Sequence, residues 1–392
     1  MNADRVEEVA ANRHSGRARI VFSLATLIVG LALMELVAFC AVKFVLLTRT
    51  PALFFHPPRI IESELQQYLE VRDPLLGWPA RAEKVISRTI PAYPKEGGEC
   101  ISLYGDSFTY GDDVGDAEAW SNLLSVQLGC RVANYGVGGY GTDQAFLRYA
   151  KNGNDRSGLV MLGIFLDNLI RNVNQYRYFL DGVTVFSLKP RFIVDDDQLK
   201  LVAIPIKTAE EFRSAISDPV SAFTNELFLP DSRNGPVTPS FPYLGVITQL
   251  LMSERFSGGL RGRPSWESFF REDHPSHALG ITVAIAQQFA DLCRSRGQEC
   301  LVIIYPTGRS FKRFKESDHL ATRSLGEQLE RHGMPYVDLH YAFRARVGAE
   351  EFCGLLVESP AVRCMGHFNA AGNRLVADIL YQHLVRQGFR RS

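Results

Sequence analysis

The chain holds 392 residues, 46% of them hydrophobic, enough for two structural units or one domain with a large insertion. Lys plus Arg and Asp plus Glu both total 43, so the formal net charge is zero and there is no basic footprint for nucleic acid. The C-terminal G-F-R-R-S is too short to alter that exclusion.

The first element in chain order is the apolar run Ile20 to Leu47, in which Glu35 and Lys43 are the only charges. It exceeds the roughly 20 residues needed to cross a hydrocarbon core. Arg5, Arg13, Arg17 and Arg19 precede it. The positive-inside rule therefore predicts a cytoplasmic tail at 1–19, a transmembrane helix at 20–47 and an extracytoplasmic, periplasmic remainder. The run is too long for the h-region of a signal peptide, and V-A-F-C at 37–40 has bulky Phe39 where a lipoprotein signal needs a small residue. An uncleaved anchor is expected. Glu35 reads either as a partner contact inside the membrane or as a tolerated charge.

Six cysteines follow Cys40: Cys100, Cys130, Cys293, Cys300, Cys353 and Cys364. They fall into three sequential pairs, although six allow 15 connectivities. Cys100 and Cys130 each open an apolar run. Adjacent parallel strands starting there would lie about 5 Å apart, within reach of a disulfide. Such usage points to an oxidising compartment, the alternative being buried free thiols.

Residues 48–97 are Pro-rich and mixed, and read as a stem. Five apolar runs come next, at 100–104, 131–135, 159–165, 300–305 and 335–339. Most are continuous, as strands buried on both faces are. Helix-like stretches alternate with them at 120–128, 142–151, 279–296 and 320–331, and 370–386 closes the chain. The alternation predicts an α/β fold, three layers deep around a parallel sheet. An insertion at about 174–278 separates the third and fourth runs; two apolar runs around D-D-D at 195–197 predict a hairpin within it.

Ser107, in Y-G-D-S-F-T-Y-G at 104–111, follows the first strand, where ligands bind in open α/β sheets. It is a candidate nucleophile; the plain alternative is a helix N-cap. N-Y-G-V-G-G-Y-G at 134–141 offers the backbone N–H of Gly139 to an oxyanion, and F-L-D-N-L at 165–169 offers the amide of Asn168, or a cap. Each such donor is worth roughly 3 kcal/mol to a tetrahedral intermediate. His367, in G-H-F-N-A-A-G-N before the closing helix, is the candidate general base, with His340 a lesser competitor. His274 and His277 lack a Glu or Cys at supporting spacing, so no metal is expected, and no cofactor.

G-D-S-F at 105–108, G-V-G-G at 136–139, the Asn168 segment and G-H-F-N-A-A-G at 366–372 stand in the order of the four blocks of the SGNH/GDSL hydrolases. The resemblance spans roughly 98–386, outside the insertion. It implies a flavodoxin-like α/β/α sandwich with a five-stranded parallel sheet. It also implies Ser107 as nucleophile and oxyanion donor, Gly139 and Asn168 as further donors, and His367 as base. Two positions depart from the pattern. The third block reads L-D-N-L rather than G-x-N-D, shifting Asn168 by one position, and Cys364 stands where the family has its aspartate. Glu358, Asp338 or a backbone carbonyl would then orient His367, and Cys364 would pair with Cys353.

The function implied is a membrane-anchored extracytoplasmic serine hydrolase acting on an acyl ester of a glycan or lipid. One alternative is an O-acyltransferase in envelope polysaccharide acetylation, with Glu35 meeting a multispan O-acyltransferase partner. The alginate-type D-x-H-W motif is absent upstream of the serine. A non-catalytic envelope protein retaining the fold is the other alternative.

Overall fold

The computed structural model describes residues 3–79, 81–82, 84–95, 97–196, 198–260, 266–357 and 364–389. Among them the strands are β1 (Glu99–Tyr104), β2 (Arg131–Asn134), β3 (Leu159–Phe165), β4 (Arg191–Asp195), β5 (Gln198–Val202), β6 (Glu299–Tyr305) and β7 (Tyr336–Asp338). The chain divides into two compact units, one of Met1–Pro57, Phe179–Gly182 and Phe228–Gly262, the other holding the remainder.

The larger unit is built on a five-stranded sheet of order β2-β1-β3-β6-β7, every neighbouring pair parallel. Its continuous apolar runs are buried on both faces, and β3 is buried along its whole length. Ile101, Leu103, Met161 and Ile303 pack on one side with Trp120 and Leu124 of the helix Trp120–Leu128 and with Val376 and Leu380 of the closing helix Ala370–Arg386. The helices Thr142–Lys151 and Ala278–Ser295 pack together, with Tyr149 and Phe289 ring to ring at 5.4 Å. The result is a three-layer α/β/α unit. Fully buried Trp120 is a large part of its core, and a Trp120→Ala change would cost about 3–5 kcal/mol.

The strand order reverses between β1 and β3: the chain leaves β1 for β2 on one side, then returns to place β3 on the other. That is the switch point at which the carboxyl ends of parallel strands leave a crevice. β4 and β5 form the antiparallel hairpin read from the insertion.

Residues 58–97 are more than a stem. They fall within the sheet unit and include a helix, Glu62–Val71. Arg88 and Trp78 bond to the loops that carry the candidate site, as described below. The insertion is likewise divided, Val183–Leu227 going with the sheet unit.

Cys100 and Cys130 are joined across β1 and β2 with Cα atoms 6.0 Å apart, and Cys353 is joined to Cys364. The third sequential pair is not bridged. Cys293 and Cys300 are free thiols that share a hydrogen bond, which together with burial pushes the Cys293 thiol up.

In the smaller unit a helix from Ala3 to Cys40 continues through a π-helical segment, Ala41–Leu46. Its stretch Arg19–Phe44 spans 26 residues and is long and apolar enough to cross a membrane. Val42, Phe54, Val237, Val246 and Leu250 form a small core there. The carboxylate of Glu35 has partners inside the chain: it accepts hydrogen bonds from the amides of Tyr243 and Leu244, the latter at 3.0 Å.

Candidate active site

β1 ends at Tyr104, and the chain turns at once into the short helix Ser107–Tyr110. Gly105 makes that turn possible: a Cβ there would lie 2.0 Å from the hydroxyl of Thr109. Asp106 caps the helix by accepting from the Phe108 amide at 3.0 Å. The capping role left open for Ser107 thus belongs to its neighbour. Gly111, at φ +79°, ends the helix in the left-handed conformation that glycine adopts without strain.

The loop that follows carries Asp113, whose Oδ2 lies 2.7 Å from Nδ1 of His367. The imidazole packs edge-on against Phe108, the residue that follows Ser107, at 5.1 Å between ring centroids. The carboxylate facing the candidate base therefore comes from the serine's own loop. Its sequence signal is the acidic run G-D-D-V-G-D at 111–116, within a few residues of the candidate nucleophile.

That loop is held from behind. Arg88 donates from Nη1 to the carbonyls of Tyr110 and Gly111, and from Nη2 to that of Val114, each at 2.7 Å. Its Nε pairs with Asp116 at 2.8 Å. Three carbonyls and a carboxylate gathered by one buried guanidinium fix the backbone on both sides of Asp113.

The loop bearing His367 is fixed as firmly. The Cys353–Cys364 disulfide anchors the chain three residues before His367, the Val357 amide donates to the His367 carbonyl at 2.8 Å, and Leu356 bridges to Phe368. Asn369 then caps the closing helix, accepting from the amides of Ala371 and Gly372 at 3.0 Å each.

Asp338 and His340, both considered near the base, are engaged elsewhere. Asp338 Oδ1 lies 2.7 Å from His340 Nδ1, and His340 Nε2 lies 2.8 Å from the Ser310 hydroxyl. The order of contacts copies a triad, but this one is structural. His340 is fully buried, and the Ser310 hydroxyl is spent within the Thr307 cap of the helix Gly308–Ser317. Asp338 therefore faces His340 and not His367, whose carboxylate neighbour is Asp113. Glu358 lies outside the described residues.

Asn168 also differs from expectation. Its Oδ1 accepts from the Phe165 amide at 2.7 Å, and its Nδ2 donates to Asp106 Oδ2 and to the Tyr140 carbonyl, each at 3.0 Å. Both amide hydrogens are used, leaving none for an oxyanion. Asn168 is a brace that ties β3 to the cap of the serine helix and to the glycine loop. The shift in the third block explains this: Phe165 ends β3 and stacks on Phe108 at 4.3 Å, while the amide comes after the turn.

Gly139 sits at φ +80°, and a Cβ on it would strike Arg177 Nη1 at 1.9 Å. Arg177 donates to its carbonyl at 2.8 Å, and Trp78 Nε1 donates to the Gly138 carbonyl at 3.0 Å. With those carbonyls turned towards their donors, the Gly139 amide and the Ser107 hydroxyl have no hydrogen-bond partner among the described residues.

Burial raises the carboxyl of Asp106, against the pull of Arg171, and that of Asp112, against the pull of His367. Asp112 lies over the glycine loop; a Cβ on Gly138 would come within 3.0 Å of its Oδ2.

Elsewhere, His274 Nδ1 is taken by the Ser276 hydroxyl at 2.7 Å, and no cluster of three metal-ligand side chains occurs among the described residues.

No family model matches the chain, and no curated protein does. Solved structures similar to it include a G-D-S-L family lipolytic protein from Veillonella parvula, at 13% identity over 73% of this chain and 98% of that one, with a TM-score of 0.35. A catalytic mutant of an acetylxylan esterase from Geobacillus stearothermophilus matches at 11% identity over 76% and 97%, with a TM-score of 0.37. A G-D-S-L lipolytic protein from Desulfitobacterium hafniense matches at 9% over 72% and 97%, with a TM-score of 0.30. At these values the likenesses carry no weight for function, and the chemistry rests on the site itself.

Proposed function

We propose that the chain is a membrane-anchored serine hydrolase of the SGNH type that cleaves an acyl ester on a glycan or lipid outside the cytoplasm. The observation that carries this reading is the 2.7 Å contact between Asp113 and His367, with the imidazole packed on Phe108, the residue that follows Ser107 in the chain. An imidazole whose Nδ1 proton is held by a carboxylate keeps Nε2 free to accept.

Ser107 Oγ attacks the ester carbonyl while His367 takes its proton. The tetrahedral oxyanion receives the backbone N–H groups of Ser107 and Gly139. Collapse expels the alcohol, which leaves with the proton returned by His367, and an acyl-enzyme remains. Water, deprotonated by His367, attacks that ester; the carboxylic acid departs and Ser107 Oγ regains its proton. A half-exposed Asp113 stabilises the imidazolium formed in each step. Loss of a single oxyanion donor would cost roughly 10²–10³ in kcat.

The test is turnover of p-nitrophenyl acetate by the full chain in detergent, with and without Ser107→Ala. A Ser107-dependent rate supports the reading; equal rates remove it. Failure of a fluorophosphonate to label Ser107 would favour a protein that kept the fold without the reaction. A sugar hydroxyl capturing the acyl-enzyme faster than water would assign transfer instead of hydrolysis, the activity suited to a multispan acyltransferase partner. Glu35, already bonded within the chain, gives that partnership no support.

A further inference from the structure

The transmembrane reading leaves a carboxylate within an apolar span. Glu35 stands nine residues before Phe44, about 13 Å inside the end of that span at a rise of 1.5 Å per residue. Its partners are the first amides of a second apolar helix, Tyr243–Met252. The other charge of the span meets the same helix, since the Lys43 ammonium lies 5.8 Å from the centroid of the Tyr243 ring.

The two helices run side by side in the same direction. Tyr243 packs on Phe39 at 5.1 Å, and Val246 and Leu250 share a core with Val42. The second helix thus begins level with Glu35 and rises about 15 Å, the depth of one leaflet. Just before it, Val237 is bonded through its backbone to Leu53 and Phe55, beyond the anchor's C-terminal end. The segment 238–242 therefore carries the chain from that level down to Glu35.

The composition of this segment suits hydrocarbon. Residues 234–253 contain no Asp, Glu, Lys, Arg or His, while Asp231 and Arg233 stand just before and Glu254 and Arg255 just after. Phe241, Leu251 and Met252 are 76%, 55% and 71% exposed. The backbone is prepared for a place without water. Pro239 and Pro242 have no N–H, and the amides of Thr238, Ser240, Tyr243, Leu244 and Gly245 have acceptors within the unit, that of Phe241 being the exception among the described residues of 238–245. Non-helical backbone at membrane depth requires such internal satisfaction.

We infer that residues 238–252 form a re-entrant hairpin in the leaflet at the C-terminal end of the anchor. Its exposed apolar side chains lie among lipid acyl chains, and Glu35 holds its buried helix start. This rests on the reading of Ile20–Leu47 as the membrane span. The insertion then gives the chain a wider hold on the bilayer than one helix provides.

Depth-dependent fluorescence of the full chain in phosphatidylcholine vesicles tests it. An environment-sensitive probe is attached at Phe241→Cys, Met252→Cys, Leu31→Cys or Val183→Cys, each in a Cys40→Ser background. The expected result is blue-shifted emission, quenching by nitroxide-bearing acyl chains and protection from aqueous iodide at 241 and 252. Position 31 should behave alike, and position 183 should be quenched by iodide. Iodide quenching at 241 and 252 with 31 protected overturns the hairpin and leaves the span intact. Protection from both quenchers at 241 overturns it in favour of a protein partner. Iodide quenching at 31 removes the span, and the hairpin with it. Glu35→Leu should expose 241 to iodide while 31 stays protected; no change at 241 overturns the holding role of Glu35.

Discussion

Asp113 Oδ2 and His367 Nδ1 lie 2.7 Å apart although 254 positions separate them in the chain. The carboxylate fixes the imidazole tautomer, so Asp113→Asn should lower kcat by roughly 10²–10⁴ with KM little changed, since the amide favours the wrong tautomer. Asp338→Asn should lower the melting temperature instead, because it loosens the buried His340–Ser310 chain. Steady-state hydrolysis and thermal unfolding of both variants check this. A fully active Asp113→Asn enzyme would remove Asp113 from the mechanism.

Arg88 touches none of the reacting groups, yet it bonds the backbone on both sides of Asp113. Arg88→Ala should displace the acid by a fraction of its contact distance and cost on the order of 10² in kcat. The readout specific to positioning is the kcat of the folded fraction, which should fall with KM little changed. A variant that is merely less stable would keep full kcat per folded molecule.

Asp112 has its carboxyl raised by burial. The unfolded chain therefore ionises first as pH rises, and the folded state loses relative stability between the ordinary Asp value and the raised one. Above that window the penalty is constant; below it the penalty is absent. Asp112→Asn should accordingly raise the melting temperature at about pH 7 and leave it unchanged at about pH 3, where both states hold the proton. A difference that persists at the lower pH would point to packing rather than charge.

The two disulfides leave Cys40, Cys293 and Cys300 as free thiols. Thiol titration of the unreduced chain in denaturant should find these alone. Removing the Cys353–Cys364 bridge by Cys353→Ser with Cys364→Ser should cost about 3 kcal/mol of stability, in line with closure of a short loop. It should also lower kcat, because the bridge anchors the chain three residues before His367. Unaltered kcat in the folded fraction would show that the remaining backbone bonds of that loop suffice.

Much of the sheet was legible because buried parallel strands need continuous apolar runs, and each of the five runs falls on a strand. The third matches β3 at both ends, and the helices 120–128, 142–151 and 370–386 match in full. Periodicity reports burial, and burial is what these elements share. Asp113 has no periodic signal: it is a half-exposed carboxylate in the acidic run 111–116, singled out there by what the fold sets opposite it. Family spacing pointed three residues before the histidine, where Cys364 serves a disulfide. Asn168 was found by its place after a strand, but a strand end does not say which way an amide hydrogen points. Residues 58–97 read as a stem because Arg88 and Trp78 act through backbone carbonyls, which leave no mark in composition. The helix 243–252 was hidden by length, being too short to span a membrane by itself.

Nucleophile and acid share one short peptide, Ser107 to Asp113, and the histidine arrives from near the other end of the chain. The order of synthesis follows from this. A nascent chain that has completed β1, β2 and β3 already carries serine and carboxylate side by side, and lacks only a base. On the proposed mechanism the site is complete only once the segment around His367 docks against Phe108, so an unfinished chain would cleave no ester.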